Sequence, residues 1–278
     1  SWTLRPKEYT VEYRIADWLR KQSPEGRAYV SGGLRFRLNS WFDVPQTNGT
    51  FDSGLLNRNP LDLDYRFRSL KGIRPGLASQ DSLMMMQAMG VEYLVVHGPE
   101  SEEYYRDLQQ PERLEAVFQV VHIDGPDRVY KAPFRSLAFF RRMDEAPKSW
   151  EPVHLESYLS HALSADRALL HDWEGPNRMR VRGGVVPEDS GVSVMVSYDP
   201  GWRATQRGAS VAVERDAMGF LYLRPPAGSE ADVVLEYGLT VEKSSALGIS
   251  AAAWMLSVIA CFKWRVRGVG NQAATCGI

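Results

Sequence analysis

Nineteen consecutive residues near the carboxyl end, Ser244 to Phe262 (SSALGISAAAWMLSVIACF), carry no charge, and KWRVR follows them directly. A continuous helix of that length, at 1.5 Å per residue, covers roughly 28 Å, close to a hydrocarbon core of about 30 Å. No acidic residue occurs after Glu242, whereas Lys263, Arg265 and Arg267 flank the neutral run on its far side. Positive charge collects on the cytoplasmic side of membrane spans. The pattern therefore predicts a transmembrane helix at 244–262, a basic cytoplasmic tail at 263–278, and an external location for everything before Lys243. The competing arrangement is a buried, Ala-rich helix, since alanine and serine make the run only moderately apolar.

What precedes this run has to hold itself together by packing. Both cysteines, Cys261 and Cys276, fall in the last eighteen residues, so the preceding 260 contain no disulfide. A chain of 278 residues that is 44% hydrophobic can bury two domain cores. Its formal charge of -1, with no basic stripe interleaved with aromatics, excludes nucleic acid as a partner. The chain opens on Ser1, and SWTLRPKEYT has no apolar core of signal-peptide type. It reads as part of something longer.

Two textures divide the body. In residues 1–133 helical and strand-like stretches alternate: EYTVEYRIADWLRKQ places Val11, Ile15, Trp18 and Leu19 on one helical face, and RAYVSGG reads as a strand. DSLMMMQAMG predicts a helix ending at Gly90, VEYLVVHG a buried strand and SEEYYRDLQ a short helix. LEAVFQVVHI and DRVYKA predict two more strands. Residues 35–80 lack clean periodicity and read as surface loops with short helices. This is the pattern of a small α/β layered domain. From 134 to 243 the chain predicts a strand in FRSLAFFRRM, a helix with an extended continuation in HLESYLSHALSADRALL, and then strands and turns. GVSVMVSY alternates, with Val192, Val194, Val196 and Tyr198 on a buried face and Ser193, Met195 and Ser197 opposite. ASVAVE, GFLYLRPP and ADVVLEYG repeat the pattern between turns at Arg207-Gly208, Met218-Gly219 and Ala227-Gly228, which predicts an antiparallel β-sandwich. The fold class expected for the whole is α+β.

One stretch, SYDPGWRATQRG at 197–208, packs two turns and two large aromatics into twelve residues. Pro200 presets the second position of a tight turn, and Gly201 suits the positive φ of a type II turn. The packing reading has Tyr198 and Trp202 closing one end of the sandwich core. The binding reading makes Tyr198, Asp199, Trp202 and Arg203 a sugar site, rings against a pyranose face and polar tips on its hydroxyls.

The block YDPGWRATQRGASVAVERDAMGFLYLRPPAGSEADVVLEYG, followed at once by an apolar helix, resembles the C-terminal end of YfhO-like bacterial membrane proteins. There a Tyr-x-Pro-Gly-Trp turn leads to a hairpin, a Pro-Ala-Gly turn, a strand closing on Tyr and a transmembrane helix. FRSLAFFRRM and MGVEYLVVHG resemble two upstream strands of the same family, so the likeness runs from Met89 to Phe262. Two positions depart from the family pattern: Arg207-Gly208 replaces an Asp-Gly tip, and Leu137 precedes Ala138 in place of Arg. The resemblance implies a polytopic glycosyltransferase of the GT-C type in the bacterial cell membrane. Such an enzyme moves a sugar from a polyprenyl-phosphate carrier to a cell-envelope glycan acceptor. Its catalytic carboxylate would lie between N-terminal helices outside this sequence, so no catalytic residue is expected here. The chain would be the extracytoplasmic region supporting acceptor recognition, with the lipid bilayer as a partner. The alternative is a membrane-anchored, non-enzymatic module that binds glycans or a protein.

Other chemistry is weakly signalled. His154 and His161 are seven residues apart, roughly 10 Å along a helix, too far to share one metal. No metal and no cofactor is expected. SGG at 31–33 could hold an anion on backbone amides but lacks GxGxxG and a phosphate-loop lysine. Asp43, Asp52, Asp62 and Asp64 could meet in a cleft as paired acids, or serve as turn formers balancing nearby arginines. NGT at 48–50 matches a glycosylation sequon, and Met84–Met86 suits core filling.

Overall fold

The computed structural model describes residues 6–47, 49, 57–147, 149–238 and 240–272, with backbone only for 241–243 and 260–272. The chain forms two compact units, Ser1–Glu236 and Tyr237–Ile278.

The first unit begins with α1 (Val11–Gln22), whose Thr10 side chain accepts from the Tyr13 amide and caps the helix start. Strand β1 (Arg27–Val30) follows, then α2 (Leu38–Trp41), α3 (Asn59–Ser69), α4 (Ala78–Ala88) and strand β2 (Val91–Val96). Strands β3 (Gln119–Asp124) and β4 (Asp127–Lys131) complete a sheet of order β1-β2-β4-β3, with β1 and β2 parallel and the other pairs antiparallel. Period-two alternation sorts its side chains cleanly. Ala28, Val30, Tyr93, Val95 and Val129 join Val11, Ile15 and Leu19 of α1 in one core. Tyr29, Leu94, Val96 and Tyr130 face Leu63 and Phe67 of α3 and Met85 and Met86 of α4 in the other. Helices on both faces explain why every residue of VEYLVV is buried. Each such aliphatic side chain contributes on the order of 1.5–3 kcal/mol on burial.

The segment expected as a short helix at SEEYYRDLQ is an irregular loop. Its carboxylates are drawn to the turn that follows β1: Gly33 N–H donates to Glu103 Oε2 at 2.9 Å and Gly32 N–H to Asp107 Oδ1 at 3.2 Å. Asp107 also pairs with Arg35 at 2.8 Å and Arg68 at 3.4 Å.

The second part of this unit is not a sandwich but a closed eight-stranded barrel. Its strands are β5 (Ala138–Arg142), β6 (Ala168–Gly175), β7 (Arg178–Val185), β8 (Ser190–Ser197), β9 (Trp202–Gln206), β10 (Ala209–Arg215), β11 (Phe220–Arg224) and β12 (Glu230–Tyr237). They are ordered β10-β11-β8-β5-β6-β7-β12-β9 around the barrel. Closure leaves no open edge for solvent or a second chain to pair with. Ala138 lies opposite Val194, Phe140 opposite Val192, Leu221 opposite Val194 and Val181 opposite Val233, so these share the inward face. The outward face of β8 is buried too, contrary to the one-sided burial expected from its alternation. Helix α5 (Pro152–Ala162) accounts for this: Tyr158 meets Phe139 edge-on at 5.4 Å, and Phe139 pairs with Ser193. One continuous core links α3, α4 and the sheet to α5 and the barrel interior.

The second unit is α6 (Val241–Gln272). Among the described residues no helix is long and apolar enough to cross a membrane. The single transmembrane helix expected at 244–262 is therefore not supported by the described part of α6. The side chains described end at Ile259, short of Phe262, and Ala, Ser and Gly dilute the apolar content before it.

Candidate functional site

The double turn at 197–208 forms where the sequence places it, with a different local geometry. Asp199 carbonyl accepts from the Trp202 amide at 3.0 Å, and its Oδ1 accepts from the Gly201 amide at 2.7 Å. Gly201 does not take the positive φ of a type II turn. Asp at the first position and Pro at the second are the preferences of a type I turn, and the Asp side chain secures it. Tyr198 and Trp202 pack, partly buried, against the main core. Arg203 is exposed and, by strand alternation, points from the opposite face of β9 to Trp202. Of the four residues of the expected sugar site, the two rings pack against the main core, the Asp199 carboxylate bonds the Gly201 amide of the turn, and Arg203 is exposed.

The acids weighed as a pair also separate. Asp64 is buried, accepting from Tyr29 hydroxyl at 2.7 Å and pairing with Arg68 at 2.7 Å. Asp62 lines an open groove of about 530 Å³ beside Lys71 and Arg74. Asp43 lines a different groove of about 440 Å³ with Glu25, Asp172 and the exposed Trp173. Asp52 and the sequon residues Asn48 and Thr50 lie outside the described residues. The SGG amides at 32 and 33 are already occupied by the carboxylates of Asp107 and Glu103. Met85 and Met86 fill the core as expected.

A smaller cavity, of about 160 Å³, lies where the sheet meets the barrel. Its polar groups arrive from four separate segments. Arg27 opens β1; Gln46 and Thr47 lie along the free edge of the same strand, with Ala28 N–H donating to Pro45 O and Thr47 N–H to Ala28 O. Ser197 ends β8 opposite Phe220. Asn57 ties this corner together, its Nδ2 donating to the carbonyls of Met218 at 3.2 Å and Gly219 at 3.0 Å.

The guanidinium of Arg27 donates from Nη1 to Met89 O at 2.9 Å and from Nη2 to Met195 O. Both partners are neutral carbonyls. Part of the residue reaches solvent, yet enclosure of its charged end lowers its pKa to about 10. On two residues of the lining, the atoms Gln46 Oε1 and Thr47 Oγ1 are shut off from the cavity and have no hydrogen-bond partner. Since Gln46 Nε2 donates to Arg35 O at 3.0 Å, the amide orientation is fixed by its neighbour and the orphan is an acceptor. Sequence reasoning missed this site. Its one local signal is a cation at the head of an otherwise apolar strand, RAYV.

No family model, no curated protein and no solved structure matches the chain.

Proposed function

We propose that the chain is the extracytoplasmic region of a membrane-bound, GT-C type glycosyltransferase of the YfhO-like kind, held to a bilayer by α6 and without catalytic residues of its own. The observation that carries the membrane part is the surface of α6. Leu247, Ile249, Trp254, Met255, Leu256, Val258 and Ile259 are 41–71% exposed. At roughly 100° per residue they are spread around most of the helix circumference. A helix with so broad an exposed apolar surface favours an apolar surrounding, and lipid supplies one. The neutral run continues in sequence to Phe262 before Lys263, Arg265 and Arg267, the order that favours a cytoplasmic tail. The transferase part rests on the family resemblance, and the element order from the Asp-Pro-Gly turn through β9–β12 into a helix agrees with it. In this reading the barrel and sheet support acceptor recognition beside catalytic helices carried elsewhere.

The test is flotation of the full chain with neutral phospholipid vesicles on a density gradient. The chain is expected to float, and Ile249→Glu combined with Leu256→Glu is expected to leave it at the bottom. A wild-type chain that stays at the bottom would contradict the reading.

A non-enzymatic glycan-binding module is the second reading, favoured by the groove holding Trp173. An exposed indole beside the carboxylates of Glu25, Asp43 and Asp172 matches the apolar face and hydroxyl edge of a sugar ring. Loss of glycan-array binding in Trp173→Ala, with melting unchanged, would support it.

A further inference from the structure

We propose that the outer edge of β3 pairs with the same strand of a second copy of this chain, antiparallel about a twofold axis, joining two four-stranded sheets into one. The two edges of the sheet differ. Along β1 the loop at 45–47 takes up backbone groups, Ala28 N–H donating to Pro45 O and Thr47 N–H to Ala28 O. β3 lies at the other end of the order, and among the described residues its only backbone pairing is with β4. A strand with one neighbour leaves alternate N–H and C=O groups open to another strand.

A bulge decides which strand fits. Between Val120 and His122 the register slips by one, so that Val120 stands opposite Tyr130 and Ile123 opposite Arg128. Residues three apart in a regular strand point to opposite faces; here they share one, because 128 and 130 do. On that face α3 and α4 pack over Leu94, Val96 and Tyr130, while Val120 and Ile123 remain 38% and 57% exposed. The other face of β3 is engaged within the chain, His122 stacked on Trp18 at 4.8 Å and Asp124 paired with Arg14 at 2.7 Å.

An antiparallel copy laid on QVVHID, with the dyad between Val121 and His122, sets Val120 of each copy opposite Ile123 of the other and Gln119 opposite Asp124. Opposed residues must share a face, and they do. Val120 and Ile123 lie on the α3 side; Gln119, opposite Lys131 and hence in the row of Tyr93, lies with Asp124 on the α1 side. No like charges meet, and the two apolar pairs form one cluster about the axis. The strand is its own complement, which singles out a second copy over an unrelated segment. Six residues of edge fall short of the roughly 1,200–2,000 Å² of stable interfaces, so the dimer is expected only at high concentration. This pairing does not depend on α6 entering a bilayer.

The experiment uses the full chain in mild detergent, with Cys261→Ser and Cys276→Ser, at hundreds of micromolar. Val120→Cys combined with Ile123→Cys is expected to give a covalent dimer on mild oxidation, because opposed Cα atoms lie about 4.5–5.5 Å apart, within disulfide reach. Val120→Cys alone is expected to cross-link at least tenfold more slowly, its two copies standing roughly 10 Å apart along the strands. Sedimentation of the chain without added cysteines is expected to show a monomer–dimer equilibrium that Ile123→Lys abolishes with melting unchanged. A monomer throughout overturns the inference, and slow hydrogen exchange of the β3 amides in that monomer would assign the edge to another segment of the same chain. A dimer indifferent to Ile123→Lys also overturns it and assigns association to another surface. So does cross-linking of Val120→Cys as fast as that of the double variant.

Discussion

Arg141 Nη2 lies 2.5 Å from Asp216 Oδ2, and both side chains are 0% exposed. The pair sits on the outer face of the barrel, where the Arg141 guanidinium also lies over the rings of Tyr158 and Tyr222. Asp216 Oδ1 accepts from the Phe220 amide at 2.8 Å, so the pair ties β5 to the turn between β10 and β11. Burial pushes the Asp216 carboxyl above its ordinary pKa even with Arg141 beside it. The desolvation cost here is only partly recovered.

Removing one partner is therefore worse than removing both. Asp216→Ala is expected to destabilise the fold by about 3–5 kcal/mol through the stranded arginine. Arg141→Met with Asp216→Leu is expected to cost less than Asp216→Ala alone. Urea unfolding of the variants checks the order.

Two glycines with similar backbone angles are expected to respond differently. Gly208 has φ +81 and open space where an added methyl would stand, so Gly208→Ala is expected to cost about 1 kcal/mol of conformational strain. Gly219 has φ +76, and a Cβ there would meet Asn57 Oδ1 at 2.5 Å. Gly219→Ala is expected to cost roughly 3 kcal/mol, strain plus the displaced Asn57 bridge. Thermal unfolding of the two variants side by side reads the difference.

Trp202→Ala is expected to lower stability by about 2 kcal/mol, because the ring packs against the main core. Retained glycan binding alongside that loss would agree with a packing role. Lost binding with unchanged melting would return Trp202 to the ligand site.

Burial lowers the His171 pKa from its ordinary 6.5, while the ring contacts Ser136 Oγ and Glu25 O. Burial likewise lowers that of His161. The unfolded chain then takes up these protons first as pH falls. Stability from the neutral rings is present above about pH 6.5 and is lost progressively below it. The melting temperature is expected to fall between about pH 7 and pH 5.5, with a shallower slope in His171→Gln.

Local pattern made much of this fold readable. The period of α1, the alternation in β8 and the Arg207-Gly208 reversal need only neighbouring residues, and each forms where the sequence places it. Barrel closure was not readable, because the β9–β12 and β5–β6 neighbours are set by long-range pairing. The loop at 101–109 resists helix because Glu103 and Asp107 have better partners in the turn after β1, at Gly33 and Gly32. The Arg27 cavity is equally non-local: 27, 46–47 and 197 meet only after sheet and barrel have packed.

The most direct test of the account is the depth of α6 in lipid. A single cysteine at Ser257→Cys, in a chain with Cys261→Ser and Cys276→Ser, can carry an environment-sensitive fluorophore in phospholipid vesicles. Blue-shifted emission, quenched by lipids brominated deep in the acyl chains, is the predicted result. Emission at the wavelength seen in water, insensitive to brominated lipid, would contradict the proposal that this helix holds the protein to a bilayer.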